Sequence, residues 1–185
     1  YDEDHEAFRA SVKQFLDREV VPHLDSYAAH HGLDRDFWRA AGKQGFLGLE
    51  IPEAFGGSEA GDYRFNAVLT EELAKVNMTL PSCVGIHADI TVPYLVHLTN
   101  DEQKARWLPG AATGEIVPAI GMTEPGGGSD LANLRTTAVR DGDDWILTGS
   151  KTFITNGGSA DIVLVAARTS PEKKAKGISL FAVDT

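Results

Sequence analysis

Two short stretches of this sequence gather residue types that could do chemistry. The first is Ile120-Gly121-Met122-Thr123-Glu124-Pro125-Gly126-Gly127-Gly128-Ser129-Asp130. An apolar run ends at Met122, and three glycines stand between a threonine and a serine. Glycine opens backbone conformations closed to other residues and lets the chain approach a ligand closely. Consecutive exposed N–H groups in such a loop can cradle a phosphate or the edge of a planar cofactor, and Thr123 and Ser129 add hydroxyls. The second stretch is Gly149-Ser150-Lys151-Thr152-Phe153-Ile154-Thr155-Asn156-Gly157. On a strand, Phe153 and Thr155 share a face because they lie two apart. A ring and a hydroxyl on one face could pack on a flat cofactor and hydrogen-bond its edge. Each stretch alone also reads as ordinary structure, a flexible glycine loop and a hairpin with a core phenylalanine. The first is not a dinucleotide fingerprint, since no βαβ unit surrounds it.

Other reactive side chains point elsewhere. Cys83 lies in the apolar run Leu80–Ile90 and reads as a buried, inert thiol. The six histidines, including His30-His31, His87 and His97, form no H-E-x-x-H or Cys/His ligand pattern, so no metal site is expected. Glu71-Glu72 reads as a solvated helix face.

The elements that must position the two stretches change character near residue 116. Before it, apolar spacing is helical. Phe8, Val12, Phe15, Leu16 and Val20 mark one face of a helix that Pro22 should terminate. Asp34 or Asp36 caps a second helix through Phe37, Trp38 and Ala41, ending near Gly45. Leu47–Gly61 is a Gly- and Pro-containing connection. Phe65, Val68, Leu69, Leu73 and Val76 mark a third helix. A fourth runs from about Pro81 to Leu98, with Pro93 kinking or interrupting it. Asn100 or Thr99 caps a fifth, with Ala105 and Leu108 facing inward.

After residue 116 the pattern is β. Val117–Met122 is a short apolar run, and Thr136–Arg140 and Trp145–Thr148 flank the turn Asp141–Asp144. Gly149-Ser150 reads as a tight hairpin turn with Lys151–Thr155 returning as a strand. Asp161–Arg168 is a strand too continuously apolar to have one wet face. Thr169–Gly177 is a charged loop and Ile178–Val183 a last strand. The expected fold is α+β: an all-helical domain over 1–116, then an antiparallel β-barrel or sheet over 117–185.

Composition narrows the partners. Seventeen Lys and Arg against 27 Asp and Glu leave a net charge of −10 in 185 residues. Such an acidic chain lacks the cations whose phosphate contacts drive nucleic-acid binding, and the excess charge serves solubility. No stretch approaches the roughly 18 apolar residues of a membrane span, and no signal peptide is visible. One cysteine points to a reducing compartment, cytoplasmic, or the mitochondrial matrix if the source is eukaryotic.

Together the two stretches carry a resemblance that neither carries alone. T-E-P-x-x-G-S-D at Thr123–Asp130, followed by D-W-I-L-x-G-x-K-x-F-I-T-N-G at Asp144–Gly157, resembles the acyl-CoA dehydrogenase family. So does G-L-x-x-P-E-x-x-G-G at Gly48–Gly57, and the helical segment in front fits. Phe153, where many members have Trp, and the ending Gly177–Phe181 are most similar to the long-chain branch. The resemblance covers essentially the whole chain. One departure is Gly127, where the family usually has Ala.

The resemblance implies an FAD site. Ile120, Met122 and Thr123 would border the flavin ring. Gly128 and Ser129 would approach the pyrophosphate, with Ser129 also at the acyl-CoA. Phe153 would cover one edge of the ring, Ile154 would line the site, and Thr155 would donate to flavin N5, favouring the negative charge that grows as N5 accepts hydride. It also implies acyl-CoA as substrate, electron-transferring flavoprotein as acceptor, and a homotetramer. The family's glutamate base comes from a C-terminal helical domain, so no catalytic residue is expected here and the chain alone should be inactive. Glu124 sits in the cofactor loop and is assigned a structural role. His87 lies near where the family binds its acyl chain but reads as a core or surface histidine. Competing readings are an acyl-CoA oxidase or flavin-dependent monooxygenase of the same fold, and a non-catalytic binding module.

Overall fold

Three of the seven α-helices start at side-chain caps. The computed structural model describes all residues, Tyr1–Thr185, and separates them into two units, Tyr1–Val117 and Pro118–Thr185. In the first unit, Asp2 accepts the His5 N–H and begins α1 (Glu3–Phe15), with Glu3, Asp4 and Glu6 placed against the positive helix end. Asp34 accepts the Phe37 N–H and begins α3 (Arg35–Lys43). Asn100 and Gln103 form a reciprocal capping box at α7 (Asp101–Thr113). At the end of α7, Gly114 adopts a left-handed φ of 78°, and a Cβ there would lie 2.1 Å from the Trp38 carbonyl oxygen. Only glycine fits that close approach.

Pro22 does not end the helical path. The chain runs from α1 through a π-helical turn (Leu16–Val20) and a 3-10 turn (Val21–His23) into α2 (Leu24–His30). Pro93 follows a second π turn, Ile86–Thr91, between α5 (Thr79–Gly85) and α6 (Val92–Leu98). The two places share a mechanism. Proline lacks an N–H and its ring collides with the carbonyl four residues back. In each case the residue before the proline bonds five residues back, Val21 N–H to Leu16 O and Val92 N–H to His87 O. The proline then opens the next helical segment, where a missing N–H costs nothing. Helix α2 is only seven residues long, too short for its apolar spacing to stand out.

The core of this unit joins Val12, Phe15, Leu16 and Val20 to Phe37, Trp38, Phe46 and Leu47, and to Leu69, Leu73, Leu80 and Val84 from α4 (Arg64–Val76) and α5. Phe15 and Phe46 meet edge-on at 5.3 Å. Two burial assignments, one inward and one outward, need correction. Ala105 is exposed, on the same α7 face as Pro109, where water can meet the carbonyl that the proline cannot. The face that turns inward carries Trp107, Leu108, Ala111 and Ala112. Glu72 is not solvated but 2% exposed, because Arg9 and Lys75 reach it at 2.5 and 2.6 Å. Burial opposes its ionisation, yet the bonds from Lys75 and Arg9 outweigh that and lower its pKa. Glu71 is exposed, as expected.

In the second unit five strands form one sheet: β1 (Pro118–Gly121), β2 (Thr137–Asp141), β3 (Asp144–Thr148), β4 (Ile162–Arg168) and β5 (Ile178–Asp184). A helical domain followed by a β-sheet domain is thus the fold. The sheet is mixed rather than antiparallel throughout. The sequential pairs β2–β3 and β4–β5 are antiparallel, whereas β1 lies parallel to β4 with Pro118 opposite Ile162 and Gly121 opposite Val165. Forty residues of crossover separate β1 from β4, ample for the return that parallel pairing requires. β4 is the central strand: β5 runs along its whole length, while β1 and the end of β2 share the other edge. No residue of β4 is exposed, as its unbroken apolar run demands.

Lys151–Thr155 does not return as a strand. Gly149 passes Thr136 so closely that a Cβ would lie 2.3 Å from the Thr136 Oγ1, and the chain continues outward instead of reversing. Residues 151–154 carry no ladder, and turns occupy Thr155–Ser159. Phe153 and Thr155 therefore do not share a strand face.

Candidate functional site

The two chemically suggestive stretches meet inside the second unit. β1 delivers Ile120, half-buried and opposite Leu164, and ends at Gly121. Met122 and Thr123 follow, both half-buried. Thr152 donates its N–H to the Thr123 carbonyl at 2.9 Å. Lys151 Nζ donates to the Met122 carbonyl at 3.2 Å and to Glu124 Oε1 at 2.9 Å. The strip 151–152 is thus fastened along the strip 122–124.

Glu124 is the buried centre of this arrangement, 7% exposed. Its Oε2 accepts the Arg135 N–H at 2.5 Å, and its Oε1 accepts the Thr136 N–H at 2.8 Å besides Lys151. Burial alone would push the carboxyl up. Hydrogen bonds from Thr136, Arg135 and Lys151 outweigh burial and hold it at about 2. Glu124 is structural, as its place in the loop suggested, and its partners are the part the sequence did not disclose. Lys151, Arg135, Thr136 and Gly149 belong to the same framework and were missed. The available signal was an acid in one stretch and a base in the other.

Beyond Thr152 the chain takes an uncommon path. Phe153 has a left-handed φ of 56° and is 92% exposed. A bulky residue in that region is strained by roughly 1–2 kcal/mol, and an aromatic ring in water gains nothing from burial. Strain of this kind persists where the surroundings over-determine it and concentrates at ligand sites. Ile154 and Thr155 are half-buried, and the Ile154 carbonyl accepts the Gly157 N–H at 2.9 Å. Asn156 turns the chain with φ 64°, and its carbonyl accepts the Ser159 N–H at 2.9 Å.

The glycine loop behaves differently from its expected use. None of Gly126, Gly127 and Gly128 has a left-handed φ. What they supply is room: a Cβ at Gly126 or Gly127 would meet nothing within 4 Å, and one at Gly128 would lie 3.3 Å from Thr123 Cγ2. Gly127 and Glu124 exchange two backbone hydrogen bonds of 3.0 Å that close the turn. The N–H groups of Gly126, Gly128 and Ser129 bond to nothing within the chain, and neither do the hydroxyls of Thr123, Ser129 and Thr155. Ser129 is exposed at the far end of the loop. An exposed ring, three unengaged hydroxyls and free backbone donors over open glycines make a surface suited to a flat, phosphate-bearing ligand.

The remaining candidates are not part of this surface. His87 is fully buried in the first unit, stacked on Trp38 at 5.3 Å, with Nε2 bonded to the Ala111 carbonyl at 3.0 Å. Burial, only partly offset by Ala111, pushes its pKa down to about 4, so the ring is a neutral core histidine. Cys83 is buried, and burial raises its pKa away from a reactive thiolate. No three His, Cys, Asp or Glu side chains stand together as a metal site, and no helix is long and apolar enough to cross a membrane.

Comparison with known proteins gives this geometry a context. The family model for the acyl-CoA dehydrogenase N-terminal domain matches residues 2–115, and that for the acyl-CoA dehydrogenase middle domain matches residues 119–185. The mitochondrial long-chain specific acyl-CoA dehydrogenase of Sus scrofa is 44% identical over 100% of this chain and 43% of its own length. The crystal structure of an acyl-CoA dehydrogenase from Geobacillus kaustophilus superposes with a TM-score of 0.95 at 46% identity, covering 100% of this chain and 48% of that one. A glutaryl-CoA dehydrogenase from Mycobacterium smegmatis, in complex with FADH2, superposes with a TM-score of 0.91 at 32% identity, covering 100% and 46%. The chain therefore spans under half the length of these relatives.

Proposed function

We propose, from the premise that this chain belongs to the acyl-CoA dehydrogenase family, that it is the cofactor-cradling part of an FAD-dependent enzyme that oxidises acyl-CoA to trans-2-enoyl-CoA. In this reading residues 1–116 are the helical domain and 117–185 the FAD-binding β-domain. The observation that carries it is Phe153, held 92% exposed on a strained backbone one residue after Thr152, whose N–H bonds the Thr123 carbonyl at the start of the glycine-containing loop. A residue so placed has no role in the core and fits a ring-stacking partner.

The residues present fit FAD. Ile120, Met122, Thr123, Phe153, Ile154 and Thr155 would hold the flavin, and Gly128 and Ser129 the pyrophosphate, with Ser129 also meeting the acyl-CoA. Bound FAD would supply the acceptor for the hydride leaving the substrate β-carbon. Thr155, its hydroxyl free of any partner in the chain, would donate toward N5 and favour charge accumulating there. Glu124 does not take the α-proton: both its oxygens are engaged and its pKa of about 2 leaves it a feeble base, whereas a general base works best near the operating pH. By the family relation, the proton acceptor would come from the part of the relatives that this chain does not span. By the same family relation, the full protein is a homotetramer that passes electrons to electron-transferring flavoprotein, in the cytoplasm or a mitochondrial matrix.

The test is anaerobic addition of acyl-CoA to the full-length flavoprotein. Bleaching of the bound-flavin absorbance is expected, followed by turnover once an artificial electron acceptor is added. Thr155→Val should slow bleaching by up to roughly ten- to hundredfold, the worth of one charge-assisted hydrogen bond. A protein that binds no flavin, or whose flavin stays oxidised with every acyl-CoA tried, overturns the reading.

A further inference from the structure

We propose that Lys151, working with Glu124, is a positioning residue for the cofactor face: it fastens the strip that presents Phe153 to the strip that follows β1. This rests on the reading of the face as a flavin site. A buried ion pair is a costly way to hold two strips together, because desolvating both charges offsets most of their attraction. An apolar pair of the same volume would pack about as well. What an apolar pair could not do is specify geometry at four places at once. Lys151 Nζ bonds Glu124 Oε1 at 2.9 Å and the Met122 carbonyl at 3.2 Å, and Glu124 also takes the Arg135 and Thr136 N–H groups. The Thr152 N–H to Thr123 O bond, 2.9 Å, lies directly beside them. Lys151 is 11% exposed, so water contributes little to holding it.

The consequence falls on the next residue. Phe153 can remain at φ 56° only while the chain is fixed on both sides. On the C-terminal side the Gly157 N–H to Ile154 O bond and the Asn156 turn fix it. On the N-terminal side only the 151–152 fastening does. Lys151 acts through Phe153 and touches no reacting atom. Release of the fastening lets Phe153 relax to an ordinary backbone conformation and withdraws its ring from the cofactor.

The experiment uses the full-length protein and two variants. Lys151→Met leaves the Glu124 carboxylate buried without its cation, so the double variant Glu124→Gln/Lys151→Met, which buries no charge, guards against simple misfolding. Hydrogen exchange of the Thr152 amide, FAD affinity and the visible circular dichroism of bound flavin are measured for each, with Lys173→Met as an exposed-lysine control. In both Lys151 variants the Thr152 amide should lose protection, FAD affinity should fall roughly ten- to hundredfold, and the flavin dichroism should change. The control should match wild type. A double variant that keeps Thr152 protection, FAD affinity and dichroism overturns the proposal and leaves the pair a stabilising contact. If the wild-type protein takes up no FAD, the functional reading fails, while Thr152 exchange still decides whether Lys151 fastens the strips.

Discussion

His87 in the helical unit and Glu124 in the β unit are both buried ionisable side chains, and they end in opposite states. His87 has one partner, the Ala111 carbonyl, and a ring stacked on Trp38. Nothing there stabilises a positive charge enough to repay desolvation, so the imidazole stays neutral. Glu124, 7% exposed against 0% for His87, has Lys151 and two backbone N–H groups, and it stays charged. Burial alone therefore does not decide ionisation; the number and sign of the donors at the buried atom do. The contrast separates the roles of the two regions. The helical unit holds His87 as neutral core filling, while the β unit uses Glu124 to hold strips of chain in register at the candidate cofactor face.

The largest expected effect would come from removing the charge at that face. Glu124→Leu strands Lys151 and the N–H groups of Arg135 and Thr136, and should destabilise the β unit by about 3–5 kcal/mol. Residue-resolved hydrogen exchange should show faster opening throughout Pro118–Thr185, with Tyr1–Val117 little changed. Equal loss in both units would break the comparison.

Acid should discriminate the units next. The His87 pKa falls from 6.5 to about 4 on folding. Its neutral form is thus favoured in the folded state, so the contribution is complete above pH 6.5 and is lost as pH drops toward 4. A displacement of that size corresponds to about 3 kcal/mol. The Glu124 pKa falls from 4.5 to about 2, so its contribution is complete above pH 4.5 and lost as pH drops toward 2. The helical unit should therefore weaken first on acidification, seen as loss of Trp38 and Trp107 burial by fluorescence. His87→Phe should remove that early phase. An early phase that survives in His87→Phe would assign it to another group.

Smaller effects sharpen the picture of the face itself. Phe153→Gly relieves a left-handed phenylalanine that buries little, and should stabilise the β unit by up to about 1 kcal/mol in thermal unfolding while weakening FAD binding. A loss of stability would mean the ring packs in solution. Gly127→Ala places a methyl group in open space on an ordinary backbone, and should stabilise by about 0.4–1 kcal/mol through the unfolded chain. Unchanged FAD affinity in that variant would show that the family's usual alanine is neutral here, and a loss would show that the ligand uses the space.

Much of this protein is determined by local sequence. Cap residues Asp34 and Asn100 set helix starts, the spacing of Phe8 through Val20 sets a buried face, and the unbroken apolar run over 162–167 makes a central strand. These are contacts within a few residues, or solvent preferences of single side chains, and they need no knowledge of the rest of the chain. Family membership was legible too, because the motif residues around Thr123–Asp130 and Asp144–Gly157 keep their order and spacing. Tertiary structure decided what depends on distant partners. Glu72 is buried because Arg9, 63 residues away, reaches it. Residues Lys151–Thr155 have the composition of a strand, yet they pair with no strand because Gly149 is drawn against Thr136 and Lys151 against Glu124. The left-handed turn that exposes Phe153 follows from those long-range bonds, since no local preference would place a phenylalanine there.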